Sequence, residues 1–105
     1  AGYLPYPIPN SLYSDTHNYQ PIISKWLEAL QPVGFVLSGG CSPLEESSRS
    51  IVESAIIDFA MKHNLPILGI CRGMQALAVR EGVRLRYIPG HVGTIHQIDY
   101  LADAL

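Results

Sequence analysis

Two short apolar runs, Val33-Gly34-Phe35-Val36-Leu37-Ser38 and Leu65-Pro66-Ile67-Leu68-Gly69-Ile70, constrain this chain more than any other feature. Each is apolar on successive residues rather than on alternate ones, which is the pattern of a strand covered on both faces. Between them Ile51, Val52, Ala55, Ile56, Phe59 and Ala60 fall on one side of a helix that Asn64 and Pro66 bring to an end. Two buried strands joined through a helix predict a parallel pair, because parallel strands need a crossover and such crossovers are right-handed. The expected fold class is therefore α/β, a parallel sheet with helices on both faces.

The remaining elements are placed around this unit. Ile22, Ile23, Trp26, Leu27 and Leu30 form one stripe at helical period, predicting a helix from Asn18 to Leu30 that ends before Pro32. The central helix is expected to begin near Ser50, which has the S-x-x-E spacing of a capping box with Glu53. Met74, Leu77 and Ala78 mark a short third helix that Gly82 can close in a left-handed conformation. The opening Gly2-Tyr3-Leu4-Pro5-Tyr6-Pro7-Ile8-Pro9-Asn10 alternates apolar residues with prolines and suits a short strand end. Short strands are also expected at 84–88 and 92–98, and a loop from Cys41 to Ser48.

A chain of 105 residues and 11.5 kDa can bury one core and has no room for a second domain. Hydrophobic residues at 48% and charged residues at 15% exclude disorder over most of the length, and a net charge of −2 gives no general attraction for nucleic acid. No apolar run approaches the ~20 residues of a membrane-spanning helix, so no membrane is expected and the cytoplasm is the expected compartment. Cys41 and Cys71 form neither a C-x-x-C pair nor a Cys/His cluster at zinc spacing, which points to no disulfide framework and no metal site.

The chemistry concentrates in Gly69-Ile70-Cys71-Arg72-Gly73-Met74-Gln75, a cysteine between two glycines at a strand-to-helix junction. G-x-C-x-G is the thiol version of a nucleophile elbow, in which a strained turn pushes the nucleophile out of the sheet. The following helix would point the positive end of its dipole at the sulfur, and the Arg72 backbone N–H would face an oxyanion formed beside Cys71. Gly39-Gly40 ends the neighbouring strand and could bring bare backbone N–H groups to the same carboxyl-end crevice. Taken alone, a glycine-flanked cysteine also serves packing, and Gly-Gly after a strand is also an ordinary turn.

The run Gly34-Phe35-Val36-Leu37-Ser38-Gly39-Gly40, then Arg49 and Glu53, then Pro66 through Gln75, resembles class I glutamine amidotransferase-like γ-glutamyl hydrolases of the peptidase C26 group. The resemblance covers residues 33–98, and Leu4 to Asn10 is similar to that family's second strand and its exit. Gly90-His91-Val92-Gly93-Thr94-Ile95-His96 is similar to the segment after the elbow in γ-glutamyl-CDP-amidate hydrolases. The resemblance implies a flavodoxin-like three-layer fold, of which residues 1–105 would be a partial domain incomplete at both ends. It implies that Cys71 attacks the side-chain carbonyl of a γ-glutamyl amide while backbone donors at Gly40 and Arg72 hold the oxyanion. Gly39, Gln75 and His91 would contact the substrate, and water would release glutamate from the thioester. The substrate class is γ-glutamyl-GABA, γ-glutamyl-CDP-amidate or glutamine, with no metal or organic cofactor. A second copy or a synthase is the expected protein partner.

The family's catalytic histidine is followed two residues later by an acidic residue. His17, His63, His91 and His96 provide no H-x-D or H-x-E, and the glycine pair expected after the elbow helix is Glu81-Gly82. His91 and His96, five positions apart, would fall on opposite faces of one regular strand. His63 reads as a helix-terminus residue, Cys41 as a loop or packing thiol, and Arg49 with Glu53 equally as a solvated i,i+4 ion pair or as part of the pocket. The alternatives to a hydrolase are a catalytically incomplete binding or regulatory module with the same fold, and a redox-sensing thiol.

Overall fold

The computed structural model describes residues 2–12, 19–40 and 47–101. Among them, a 3₁₀ turn at Asn10–Leu12 precedes α1 (Tyr19–Leu30), β1 (Phe35–Leu37), α2 (Ser48–Lys62), β2 (Ile67–Gly69) and α3 (Arg72–Arg80). Strands β1 and β2 pair in parallel, with Phe35 opposite Ile67, Val36 opposite Leu68 and Leu37 opposite Gly69, and α2 is the crossover between them. Main-chain bonds carry the pairing past both strand ends: Phe35 N–H donates to Pro66 O at 2.9 Å and Ile70 N–H to Leu37 O at 2.8 Å.

The pleat sends Phe35 and Leu37 to one face, where they join Val52, Ala55, Ile56, Phe59 and Ala60 of α2 and Ile23 and Leu27 of α1 in a single buried cluster. Phe35 meets Phe59 edge-on, with ring centroids 6.2 Å apart. On the opposite face Val36 is 64% exposed, Leu68 59% and Ile70 51%. These are apolar side chains of the kind that the second helical layer of a three-layer fold covers.

Helix ends follow local chemistry. Helix α1 stops where Gln31 takes a left-handed φ of 51° ahead of Pro32. The N-cap of α2 is Ser47, whose hydroxyl accepts from Ser50 N–H, so the helix starts earlier than the expected capping box at Ser50 and Glu53. Those two side chains are engaged elsewhere, as described below. At its other end Asn64 adopts φ 55°, and Leu65 N–H returns to Ala60 O at 2.9 Å, which is a Schellman closure. Gly82, at φ 86°, closes α3 in the same way through Val83 N–H to Ala78 O at 3.0 Å, as the sequence suggested. His63 is the C-cap of α2, with its ring 4.2 Å from that of Phe59.

Three expected strands are not formed. The opening segment has no ladder, because prolines at 5, 7 and 9 remove every second donor; it instead packs Ile8 and Leu12 against the core and the Tyr6 ring against Trp26. Residues 84–88 and 92–98 carry strand-like alternation but meet no partner strand among the described residues. The chain there turns at Gly90 and Gly93 (φ 73° and 71°), with Thr94 Oγ1 donating to His91 O at 2.7 Å. The loop expected from Cys41 to Ser48 lies outside the described residues up to position 46, and Ser48 already opens α2.

Candidate active site

Cys71 sits between β2 and α3 with φ 53° and ψ −107°, a conformation that costs a residue with a Cβ about 1–3 kcal/mol. The flanking main chain holds it there. Ile70 N–H is anchored on Leu37 O, Gly73 N–H donates back to Ile70 O at 2.9 Å, and Gln75 N–H donates to Cys71 O at 3.1 Å. The two glycines make so tight a turn feasible. A Cβ on Gly69 would lie 2.7 Å from the Gly73 carbonyl carbon, and one on Gly73 would run into Leu37 O and stand 2.6 Å from Leu37 Cβ. The result is a free, exposed thiol at the amino end of a helix.

The end of β1 arrives at the same place. A Cβ built on Gly39 would lie 3.7 Å from Cys71 Cβ, so the loop Ser38-Gly39-Gly40 borders the nucleophile. At Gly40 the space of a side chain is taken by Arg49, whose Cζ is 3.2 Å from a Cβ built there, and by Arg72 Cδ at 3.3 Å. Cys71, Gly39, Gly40 and Arg72 therefore converge at the carboxyl ends of two adjacent parallel strands, the position where open α/β sheets bind ligands. Gln75 lies one turn into α3, half-buried.

Beneath this crevice lies a charge cluster. Glu53 is buried in α2, on the helical face it shares with Ile56, Ile57 and Ala60. Its Oε1 accepts from Arg49 Nε at 2.8 Å, and its Oε2 lies 3.3 Å from Arg72 Nη2. Arg72, only 2% exposed, also donates from Nη2 to Ser50 Oγ at 2.9 Å. Arg49 reaches on from Nη2 to the Ser38 carbonyl at 2.9 Å. The Arg49–Glu53 pair thus extends beyond α2, to the Ser38 carbonyl through Arg49 and to Arg72 through the buried Glu53. Sequence reasoning used only the backbone of Arg72 and missed its buried guanidinium; the available signal was an acidic residue on the core side of α2.

His91 lies in the irregular segment after α3, where its ring packs on that of His96 with centroids 4.6 Å apart. The two histidines stand together because no regular strand forms to separate them. Cys41 lies outside the described residues. An open groove of about 1240 Å³ between the opening segment and β1 reaches Ser38, Arg49 and Glu53 but is not lined by Cys71. Among the described residues no helix is long and apolar enough to cross a membrane.

Residues 34–98 match the model of the family described as Peptidase C26. The chain is 35% identical over 72 residues, 69% of its length, to a protein from Paraburkholderia phytofirmans named GMP synthase [glutamine-hydrolyzing]. It is 39% identical over 61 residues, 58% of its length, to a protein of the same name from Ruthia magnifica. It spans only 13% and 11% of the lengths of these two relatives. No solved structure matches it significantly.

Proposed function

This chain belongs to the peptidase C26 family, and we propose that within it Cys71 is the nucleophile that hydrolyses the side-chain amide of glutamine. The carrying observation is the strained, exposed Cys71 bordered by the glycine loop that ends the neighbouring strand. Sulfur attacks the amide carbon, and the carbonyl oxygen becomes an oxyanion that accepts from the backbone N–H groups of Gly40 and Arg72. The C–N bond then breaks, ammonia leaves with a proton, and a γ-glutamyl thioester remains on Cys71. Water attacks the thioester carbon, releasing glutamate and restoring the thiol. Gln75 and Gly39 border the place where the glutamyl chain would lie, and His91 is assigned to the substrate by its motif alone. The sequence holds no H-x-D or H-x-E, so the proton for ammonia is assigned to a group outside the elbow and the glycine loop.

Glutamine is favoured over γ-glutamyl-CDP-amidate and γ-glutamyl-GABA because the relatives named above are described as glutamine-hydrolysing synthases. Ammonia would then pass to a synthase and not to solvent. The test is glutamate release by the intact protein that carries this chain, offered glutamine or γ-glutamyl-GABA, with Cys71→Ser alongside. Glutamine should be the better substrate, and C71S should lose activity by about 10³-fold or more. Activity retained in C71S would overturn the nucleophile; preference for γ-glutamyl-GABA would overturn the substrate.

A further inference from the structure

Building on the reading of Cys71 as an amide-hydrolysing nucleophile, we infer that Glu53 is a positioning residue whose carboxylate, through Arg49 and Arg72, fixes the Ser38-Gly39-Gly40 loop relative to Cys71. A loop of two glycines has no side chains with which to anchor itself and the widest backbone freedom of any sequence, so its placement has to come from outside. Arg49 supplies it. One edge of its guanidinium, at Nε, donates to Glu53 Oε1 at 2.8 Å, while Nη2 donates to the Ser38 carbonyl at 2.9 Å. The same group fills the space that a side chain on Gly40 would take. On the other side of the crevice the Glu53 carboxylate meets Arg72, the residue immediately after the nucleophile, and Ser50 accepts from that guanidinium at 2.9 Å. A single carboxylate in the middle of α2 therefore ties together the loop after β1 and the start of α3.

This arrangement suits positioning better than stability. A buried ionic cluster is often no more stabilising than apolar side chains of equal volume, whereas a planar guanidinium with two fixed donors holds two acceptors in one geometry. Stabilising an oxyanion demands that geometry, since its donors have to stand at about 2.7–3.1 Å from the oxygen in the transition state.

The test uses Arg49→Lys and Glu53→Gln in the intact protein, with two readouts: glutamine turnover, and the rate at which iodoacetamide alkylates Cys71. Lysine keeps the charge but cannot bridge Glu53 and Ser38 as a rigid fork. Both variants should lose about 10²-fold in kcat with KM little changed, as displacement of a reacting group by an ångström does. Alkylation should be unchanged, because substitution at an alkyl halide develops no oxyanion. Unaltered kcat in R49K, a change confined to KM, or a parallel fall of turnover and alkylation would each overturn the positioning role. If E53Q does not fold, R49K decides, since the Arg49 side chain is 29% exposed and its replacement buries no new group. Turnover that survives Cys71→Ser would instead defeat the underlying function, so the two failures are distinguishable.

Discussion

At the scale of single residues, the site depends on one non-glycine in a left-handed conformation and on glycines packed where no Cβ fits. Cys71 has φ 53°, and the turn that holds it leaves Gly73 directly against Leu37 O. Gly73→Ala should therefore force β1 and α3 apart at the site itself. We expect a stability loss of roughly 1–3 kcal/mol from overpacking, measured by urea denaturation, together with loss of turnover. A fully stable and active G73A would contradict the close approach. Glu53 is the second sensitive position. Replacement by alanine leaves Arg72 buried without its carboxylate, and removal of one partner from a buried pair costs about 3–5 kcal/mol. The surface pair between Arg80 and Asp58, each side chain more than a third exposed, should contribute at most about 1 kcal/mol.

At the scale of elements, the caps carry testable weight. Ser47→Ala removes the acceptor for Ser50 N–H and should cost about 1 kcal/mol, and Asn64→Ala, at φ 55°, should cost about 1–2 kcal/mol, both read as shifts in the urea midpoint. No shift in either variant would place the ends of α2 elsewhere. The same elements show what could be read from the sequence alone. Local signals succeeded: the stripe of α1, the stops at Asn64 and Gly82, and the glycine-flanked turn at Cys71 each follow from chemistry within a few residues. Signals that need a distant partner did not. Residues 84–88 have the alternation of a strand, but pairing depends on what lies alongside, and the S-x-x-E spacing at Ser50 was claimed by Arg72, 22 positions away from it. The charge cluster under the site belongs to this second kind, since Glu53 and Arg72 are joined only by folding.

At the scale of the whole molecule, the described core is one-sided. Val36, Leu68 and Ile70 present an apolar sheet face to solvent, and the radius of gyration is 15.8 Å against roughly 13 Å for a compact domain of 100 residues. Residues 1–105 on their own should consequently associate or exchange their amide hydrogens readily. Sedimentation and hydrogen exchange read this directly, and a well-protected monomer would show that the exposed face needs no cover. The proposed chemistry is acylation by glutamine of the sulfur that the turn at Cys71 presents. Rapid acid quenching of the intact protein during turnover, followed by peptide mass spectrometry, measures it most directly. A γ-glutamyl adduct is expected on the peptide carrying Cys71 and is expected to be absent in Cys71→Ser; glutamate release without any adduct on that peptide, or with the adduct on another residue, would contradict the proposed chemistry.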